Sequence, residues 1–196
     1  MLVDNGYGVL LLDPRGQGKS EGDLVRWAGD RDLAAGAAYL QGRPDVDPDR
    51  IGGLGSSVGG EILLVAAARE PAFRAVVSEG AGFPLGEADL TGVERVVAAP
   101  VKLGMTAAAT VFSNHGPPAR IVDTIGEIAP RSVFLIYARP GMGGEDIRQP
   151  KYFAAAGEPK EIWLVPGAEH TGGIDVAPAE YEQRVVAFLD DALLGE

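Results

Sequence analysis

Cysteine is absent from this chain of 196 residues, and histidine occurs only twice, as His115 and His170. These two scarcities exclude disulfide frameworks, thiolate metal sites and cysteine nucleophiles, and they disfavour a histidine-rich metal site. Basic residues are also few: 17 lysines and arginines stand against 28 aspartates and glutamates, which gives a net charge of −11. Because nucleic-acid binding needs clustered cations, we expect no nucleic-acid partner.

Long apolar runs are missing as well. The longest run extends from Ile62 to Ala68, far below the ~18–20 residues that cross a bilayer, so no membrane span is predicted. The first residues lack the basic start and apolar stretch of a secretory signal, which predicts a cytoplasmic protein. The chain does contain 46% apolar residues, and its length predicts one domain covering residues 1–196.

Strand-like and helix-like segments alternate along the chain. Short apolar runs predict strands at residues 9–12, 51–54, 75–78, 132–137 and 161–165. Helical patterns lie between them, and a final helix opens at Pro178. This alternation predicts an α/β domain with a mostly parallel sheet. Residues 80–132 are rich in alanine and glycine and break the alternation, so we expect them to form a small lid or cap.

The segment from Asp13 to Ser20 ends in Gly-Lys-Ser after a predicted strand and therefore imitates a phosphate-binding P-loop. The full motif requires a glycine where Asp13 stands. A carboxylate at that position would repel phosphate. We interpret the segment as a tight turn that Asp13 and Arg15 tie together.

A second glycine-rich segment, Gly53 to Gly59, permits two interpretations. As a GxGxxxG turn it would bind a dinucleotide such as NAD(P), and Glu79, 20 residues beyond Gly59, would bind the ribose hydroxyls. Such turns usually follow the first strand of a domain, whereas a complete strand-loop-helix unit precedes this one. Dinucleotide binding is therefore kept as a minor alternative.

The other interpretation is a nucleophile elbow, because residues 55–59 read Gly-Ser-Ser-Val-Gly and match G-x-S-x-G. Such a turn between a strand and a helix exposes the central serine, which here is Ser57. The glycines on either side avoid clashes, and the backbone N–H of Val58 faces the developing oxyanion. Ser56 does not fit the motif, because Leu54 and Val58 flank it.

A serine nucleophile needs a base, which is normally a histidine oriented by an acid. His170 directly follows the last predicted strand, and sheets of this kind place functional groups at the carboxyl ends of their strands. We therefore predict that His170 is the base. His115 follows the elbow in an Asn-His-Gly-Pro-Pro stretch and is interpreted as a surface or lid residue.

Four segments of the chain together resemble the α/β-hydrolase family. Residues 6–20 resemble the family's fourth strand and its D-x-R-G-x-G-x-S loop, and residues 49–60 resemble the fifth strand and the elbow. Residues 129–137 resemble the strand before the catalytic acid, and residues 166–173 resemble the histidine loop. The order serine, acid, histidine is also that of the family. Within it, the chain is most similar to prolyl-oligopeptidase and X-prolyl dipeptidyl-peptidase-like esterases and peptidases.

The resemblance implies a three-layer α/β/α sandwich and a serine hydrolase that needs no metal or organic cofactor. Its substrate would be a small ester or a short peptide-like molecule. The acid belongs in the turn after residues 133–137, where Glu145 follows two glycines and Asp146 with Pro150 resembles a D-x-x-x-P arrangement. Glu145 is favoured and Asp146 is the alternative. Glu79 is a third candidate, because some members carry the acid one strand earlier.

One departure from the family concerns its first three strands and the loop that supplies a second oxyanion donor, which have no counterpart in the chain. The resemblance therefore implies an N-terminally truncated form, and a missing donor costs on the order of 10²–10³ in rate. The predicted strand at residues 8–12 would have an unpaired apolar edge, which predicts lower stability or self-association. A non-catalytic scaffold of the same fold is the main alternative to a hydrolase.

Overall fold

The computed structural model describes residues 1–22, 29–82, 100, 103–104, 106–108, 110–111, 116–139 and 144–195. Its strands form one four-stranded sheet, composed of β1 (Ile51–Ser56), β2 (Phe73–Glu79), β3 (Ser132–Ala138) and β4 (Lys160–Val165). The strands lie side by side in chain order, and each neighbouring pair is parallel. Their carboxyl ends therefore meet at one edge of the sheet, where ligands and catalytic groups collect in such folds.

Helices cover both faces of this sheet. They are α1 (Gly29–Gln41), α2 (Val58–Arg69), α3 (Ile121–Thr124), α4 (Glu145–Ala155), α5 (Gly173–Val176) and α6 (Pro178–Leu194), with short 3₁₀ helices at Val3–Asn5 and Ile125–Ile128. Pro178 is the first residue of α6, where its fixed φ suits a helix start and its missing N–H leaves no bond unmade.

Side chains alternate between two hydrophobic clusters along the inner strands, as the pleat of a strand requires. In β2, Val76 belongs to a cluster with residues of α1, α2, α3 and α4, whereas Val77 belongs to a cluster with α6. In β3, Leu135 and Phe134 divide in the same way. The sheet is thus buried on both faces, which confirms the predicted three-layer α/β/α arrangement with a parallel sheet.

The predicted strand at residues 8–12 is wrong. These residues have no regular secondary structure, and Leu11 is 89% exposed. An apolar run becomes a strand only where a neighbour pairs with its backbone, and the described part of the chain provides no strand beside this one. The edge strands of the described sheet are therefore β1 and β4.

The predicted lid at residues 80–132 lies largely outside the described residues, so it stays a prediction. In its last part, Ile121, Ile125 and Ile128 are fully buried in the same cluster as α2. Among the helices that the structure describes, none combines the length and the hydropathy needed to span a bilayer.

Candidate active site

Ser57 occupies the sharp turn that joins β1 to α2. Its φ of 52° and ψ of −120° lie in a region that non-glycine residues rarely adopt, so the turn is strained. The backbone on both sides restrains it: the Ser57 N–H donates to the carbonyl of Glu79 at 2.8 Å, and the Ser57 carbonyl accepts from the N–H of Glu61 at 3.1 Å. This strained turn presents a serine side chain at the carboxyl edge of the sheet.

The glycines around this turn do not all serve the purpose that the motif predicts. A Cβ at Gly55 would lie 2.6 Å from the carbonyl oxygen of Gly59, so a side chain there would clash with backbone. A Cβ at Gly59 would meet nothing within 4 Å. The crowded position on the helix side is Gly60, whose Cβ would lie 2.5 Å from the Ser78 hydroxyl. The packing therefore requires a residue without a side chain at positions 55 and 60, but not at Gly59.

Val58 is the first residue of α2. The N–H groups in the first turn of a helix have no partner within the helix, and the helix dipole adds positive potential at the same place. The predicted oxyanion donor thus lies next to the Ser57 side chain, where a carbonyl attacked by that serine would develop negative charge.

His170 lies on the loop that follows β4. Its Nε2 is 2.9 Å from the Ser57 Oγ, within hydrogen-bonding distance. Its Nδ1 is 3.3 Å from the Oε1 of Glu145. The ring therefore contacts a hydroxyl at one nitrogen and a carboxylate at the other, as a general base between a nucleophile and an orienting acid must.

Glu145 is the first residue of α4 and is completely buried. Gly144 precedes it with a φ of 73°, which allows the chain to turn into the helix. Asp146 is half-buried on the next helical position. Within the part of the chain that the structure describes, the α4 carboxylate that reaches His170 is that of Glu145 and not that of Asp146.

Glu79, the third candidate acid, does not contact His170 in the described structure. Its carboxylate accepts the N–H of Gly173 at 2.9 Å and the hydroxyl of Tyr181 at 3.0 Å, and the side chain is buried. The dinucleotide interpretation required the same carboxylate to face a ribose. It faces the protein interior instead, so the structure contradicts the role that this interpretation gave to Glu79.

Gly80 is a site residue that the sequence reasoning missed. Its φ is 64°, and a Cβ there would lie 2.9 Å from Glu145 Oε2 and 3.0 Å from His170 Cε1. The absence of a side chain at this position leaves room for the contact between acid and base. A glycine two residues after the predicted strand at 75–78 was the available signal, but nothing local to it indicates what it faces.

Two further sequence-predicted features are His115 and the P-loop-like segment at residues 13–20. His115 lies outside the described residues. The P-loop-like segment is closed on itself, because the Asp13 carboxylate accepts the N–H of Lys19 and the Asp13 carbonyl accepts the hydroxyl of Ser20. Arg15 makes two side-chain hydrogen bonds to Asp32 in α1. The tight-turn interpretation agrees with these contacts, although Arg15 ties the loop to α1 and not to Asp13.

The candidate site thus joins a serine, a carboxylate and a histidine, in that chain order, at the carboxyl edge of a parallel sheet covered by helices. This combination of fold and site defines the α/β-hydrolase class. Residues 1–128 match the family described as X-Pro dipeptidyl-peptidase (S15 family). The chain belongs to that family of hydrolases, in agreement with the X-prolyl dipeptidyl-peptidase-like resemblance. The matched range includes Ser57 and ends before Glu145 and His170.

Two curated relatives are longer than this chain. An Escherichia coli O157:H7 protein, "Uncharacterized protein YfhR", is 22% identical over 201 residues, which cover 98% of this chain and 63% of the relative. A Mycobacterium tuberculosis protein, "Uncharacterized protein MT2364", is 27% identical over 170 residues, or 84% of this chain and 53% of the relative. The chain therefore spans less than two thirds of the length of these relatives.

A solved structure shares the fold. The Pyrococcus furiosus esterase Pf2001 superposes with a TM-score of 0.71 at 23% sequence identity, and the match covers 98% of this chain and 72% of that one. Nearly all of the present chain thus has a structural equivalent in an esterase of known structure.

Proposed function

We propose that this protein is a serine hydrolase that cleaves an ester or amide bond through an acyl-enzyme intermediate. Ser57 is the nucleophile, His170 the general base and acid, and Glu145 the carboxylate that orients His170. The observation that carries the proposal is the 2.9 Å contact between His170 Nε2 and the hydroxyl of a serine held in a strained turn. Membership of a hydrolase family supports the same class of chemistry.

In the first half-reaction, the Ser57 proton moves to His170 Nε2 while the Ser57 oxygen forms a bond to the substrate carbonyl carbon. The N–H of Val58 stabilises the resulting oxyanion. The tetrahedral intermediate then collapses: the bond to the leaving group breaks, and His170 gives its proton to the departing oxygen or nitrogen. The products of this step are the free alcohol or amine and a Ser57 ester.

In the second half-reaction, a water molecule replaces the leaving group. His170 removes a proton from the water, whose oxygen attacks the acyl carbon, and the collapse of the second intermediate returns the proton to Ser57. Glu145 keeps the same contact to His170 Nδ1 throughout, so the ring holds one tautomer and its positive charge is stabilised in both transition states.

The substrate is a small ester or a short peptide-like molecule. The structural neighbour from Pyrococcus furiosus is an esterase, and the family is described as X-Pro dipeptidyl-peptidase. The proposal therefore covers both an alcohol and an amine leaving group. His170 is about one fifth exposed through its side chain, which leaves room for an acyl group to approach Ser57.

The proposal is tested by reaction with a fluorophosphonate, followed by intact mass measurement. The wild-type chain should gain one adduct, and Ser57→Ala should gain none. The matched control is Ser56→Ala, which removes the neighbouring hydroxyl in the same turn and should label like the wild type. A folded wild-type chain that gains no adduct would refute the proposal and leave the non-catalytic scaffold of this fold as the explanation.

A further inference from the structure

Glu79 makes three contacts at the end of β2 that connect two parts of the candidate site. Its backbone carbonyl accepts the N–H of Ser57 at 2.8 Å. Its Oε1 accepts the N–H of Gly173 at 2.9 Å, and its Oε2 accepts the hydroxyl of Tyr181 at 3.0 Å. One residue therefore holds the nucleophile through its main chain and, through its side chain, the segment that follows His170.

The chemistry of this carboxylate is unusual for a buried group. Glu79 is 6% exposed, and in the described residues no lysine, arginine or histidine forms an ion pair with it; its side chain meets two uncharged donors. Burying a carboxylate is unfavourable unless its oxygens are hydrogen-bonded, and both oxygens are. The two hydrogen bonds therefore fix the Gly173 N–H and the Tyr181 hydroxyl relative to the end of β2.

The loop that carries His170 needs such a restraint. Thr171, the next residue, has a φ of 59°, a left-handed conformation that persists only where surrounding structure enforces it. The helix that follows, α5, has only four residues and supplies little rigidity itself. The bond to the Gly173 N–H lies two residues beyond Thr171 and ties the loop to the sheet. The contact is close, because a Cβ at Gly173 would lie 2.7 Å from Glu79 Oε1.

We propose that Glu79 is a positioning residue: its carboxylate, by holding the Gly173 N–H, sets the distance between His170 and Ser57. This inference rests on the proposed function. Glu79 does not touch the reacting atoms, and it acts by the reach and hydrogen-bonding capacity of its side chain. A negative charge is not what the position requires, so an uncharged acceptor of the same length should serve as well.

The test compares Glu79→Gln with Glu79→Met. Both replacements keep the length of the side chain, but only glutamine offers an oxygen to the Gly173 N–H, and its amide can donate to the Tyr181 hydroxyl. We expect Glu79→Met to lower kcat for p-nitrophenyl acetate on the order of 10–100-fold, with KM changed by less than about threefold, because a misplaced base slows the chemical step. Glu79→Gln should stay within about threefold of wild type in both constants.

A second measurement follows the histidine itself. In a His115→Gln background the chain contains one imidazole, that of His170, and its ¹⁵N and ¹³C resonances can be observed without assignment of the other ring. Glu79→Met should shift and broaden these resonances, and Glu79→Gln should leave them as in wild type. A purely structural role elsewhere in the fold would change the melting temperature without this pattern.

The inference is overturned if Glu79→Met keeps wild-type kcat, or if the glutamine and methionine variants lose activity equally. Should Glu79→Met not fold, Glu79→Asp takes its place, since it keeps the charge but shortens the reach by one methylene. An active aspartate variant beside an inactive glutamine variant would mean that charge is required, which also overturns the inference. A wild-type chain that neither turns over the ester nor reacts with the fluorophosphonate would instead refute the proposed function.

Discussion

Replacing Gly80 by alanine should separate the acid from the base at the candidate site. A Cβ at this position would lie 2.9 Å from Glu145 Oε2 and 3.0 to 3.1 Å from two atoms of the His170 ring. An ordinary contact needs about 3.5 Å, so one or both groups must move by about 0.5 Å. The contact between Glu145 Oε1 and His170 Nδ1 is already 3.3 Å long, and a displacement of that size takes it beyond hydrogen-bonding distance.

The substitution should have two effects, a loss of stability and a loss of kcat. The left-handed φ of 64° at Gly80 should lower the free energy of unfolding by about 1–2 kcal/mol when a Cβ is added. The displaced His170 should lower kcat on the order of 10–100-fold; loss of the orienting acid in a serine protease, which costs ~10⁴, is the upper bound. KM should change little, because the atoms that the added Cβ would meet are those of Glu145 and His170, which the proposal assigns to the chemical step.

Gly6→Ala is the matched control for this experiment. Gly6 has a φ of 85°, and a Cβ there meets nothing within 4 Å. The control therefore reproduces the backbone strain without the contact to Glu145 and His170. Urea unfolding should give similar losses of stability for the two variants, and ester turnover should fall only in Gly80→Ala. Equal kcat values for the two variants would show that Gly80 does not protect the contact between acid and base.

Three further predictions concern other groups. Glu145→Gln should lower kcat on the order of 10²–10⁴-fold, whereas Asp146→Asn should stay within about twofold, because of these two carboxylates it is that of Glu145 that contacts the His170 ring; the reverse order would identify Asp146 as the acid. Burial, and then the neighbouring Glu79, raise the pKa of Tyr181 above its ordinary value of 10.0. The unfolded chain then loses this proton first, so Tyr181 by itself should lower the free energy of unfolding by about 1.4 kcal/mol per pH unit above pH 10. Tyr181→Phe should flatten this decline in melts from pH 8 to 11, and an unchanged slope would contradict the assignment. Finally, we propose self-association through the outer edge of β1, which no described strand pairs on that side, and through the exposed Leu11. It should be seen as concentration-dependent mass in light scattering and be weakened by Leu11→Lys; a monomer at every concentration would refute it.

The features that sequence predicted well are those that neighbouring residues determine. The elbow around Ser57 follows from a glycine-rich turn between an apolar run and a helix. The last helix, α6, follows from Pro178 and from the spacing of its buried side chains. The failed strand at residues 8–12 shows the opposite case, because strand formation depends on a partner that the run itself does not encode. The run is apolar, as its composition indicates, yet its secondary structure depends on residues elsewhere.

The choice between Glu145 and Asp146 shows why a site cannot be completed from local patterns. Successive residues of a helix point about 100° apart, so two adjacent carboxylates cannot both face the same histidine. Their side-chain chemistry is nearly identical, and only the direction in which α4 leaves Gly144 distinguishes them.

The end of β2 lies between the end of β1, which leads to Ser57, and the end of β3, which leads to Glu145. Glu79 and Gly80 therefore stand where the segments that carry Ser57, Glu145 and His170 converge. The Gly80 N–H also donates to the Ile136 carbonyl of β3 at 2.9 Å, which fixes this end of β2 against the next strand. β2 is an inner strand of a parallel sheet that is buried on both faces, so contacts made from its end hold three separate loops relative to the sheet. The geometry of the site then depends on two residues that take no part in the proposed chemistry.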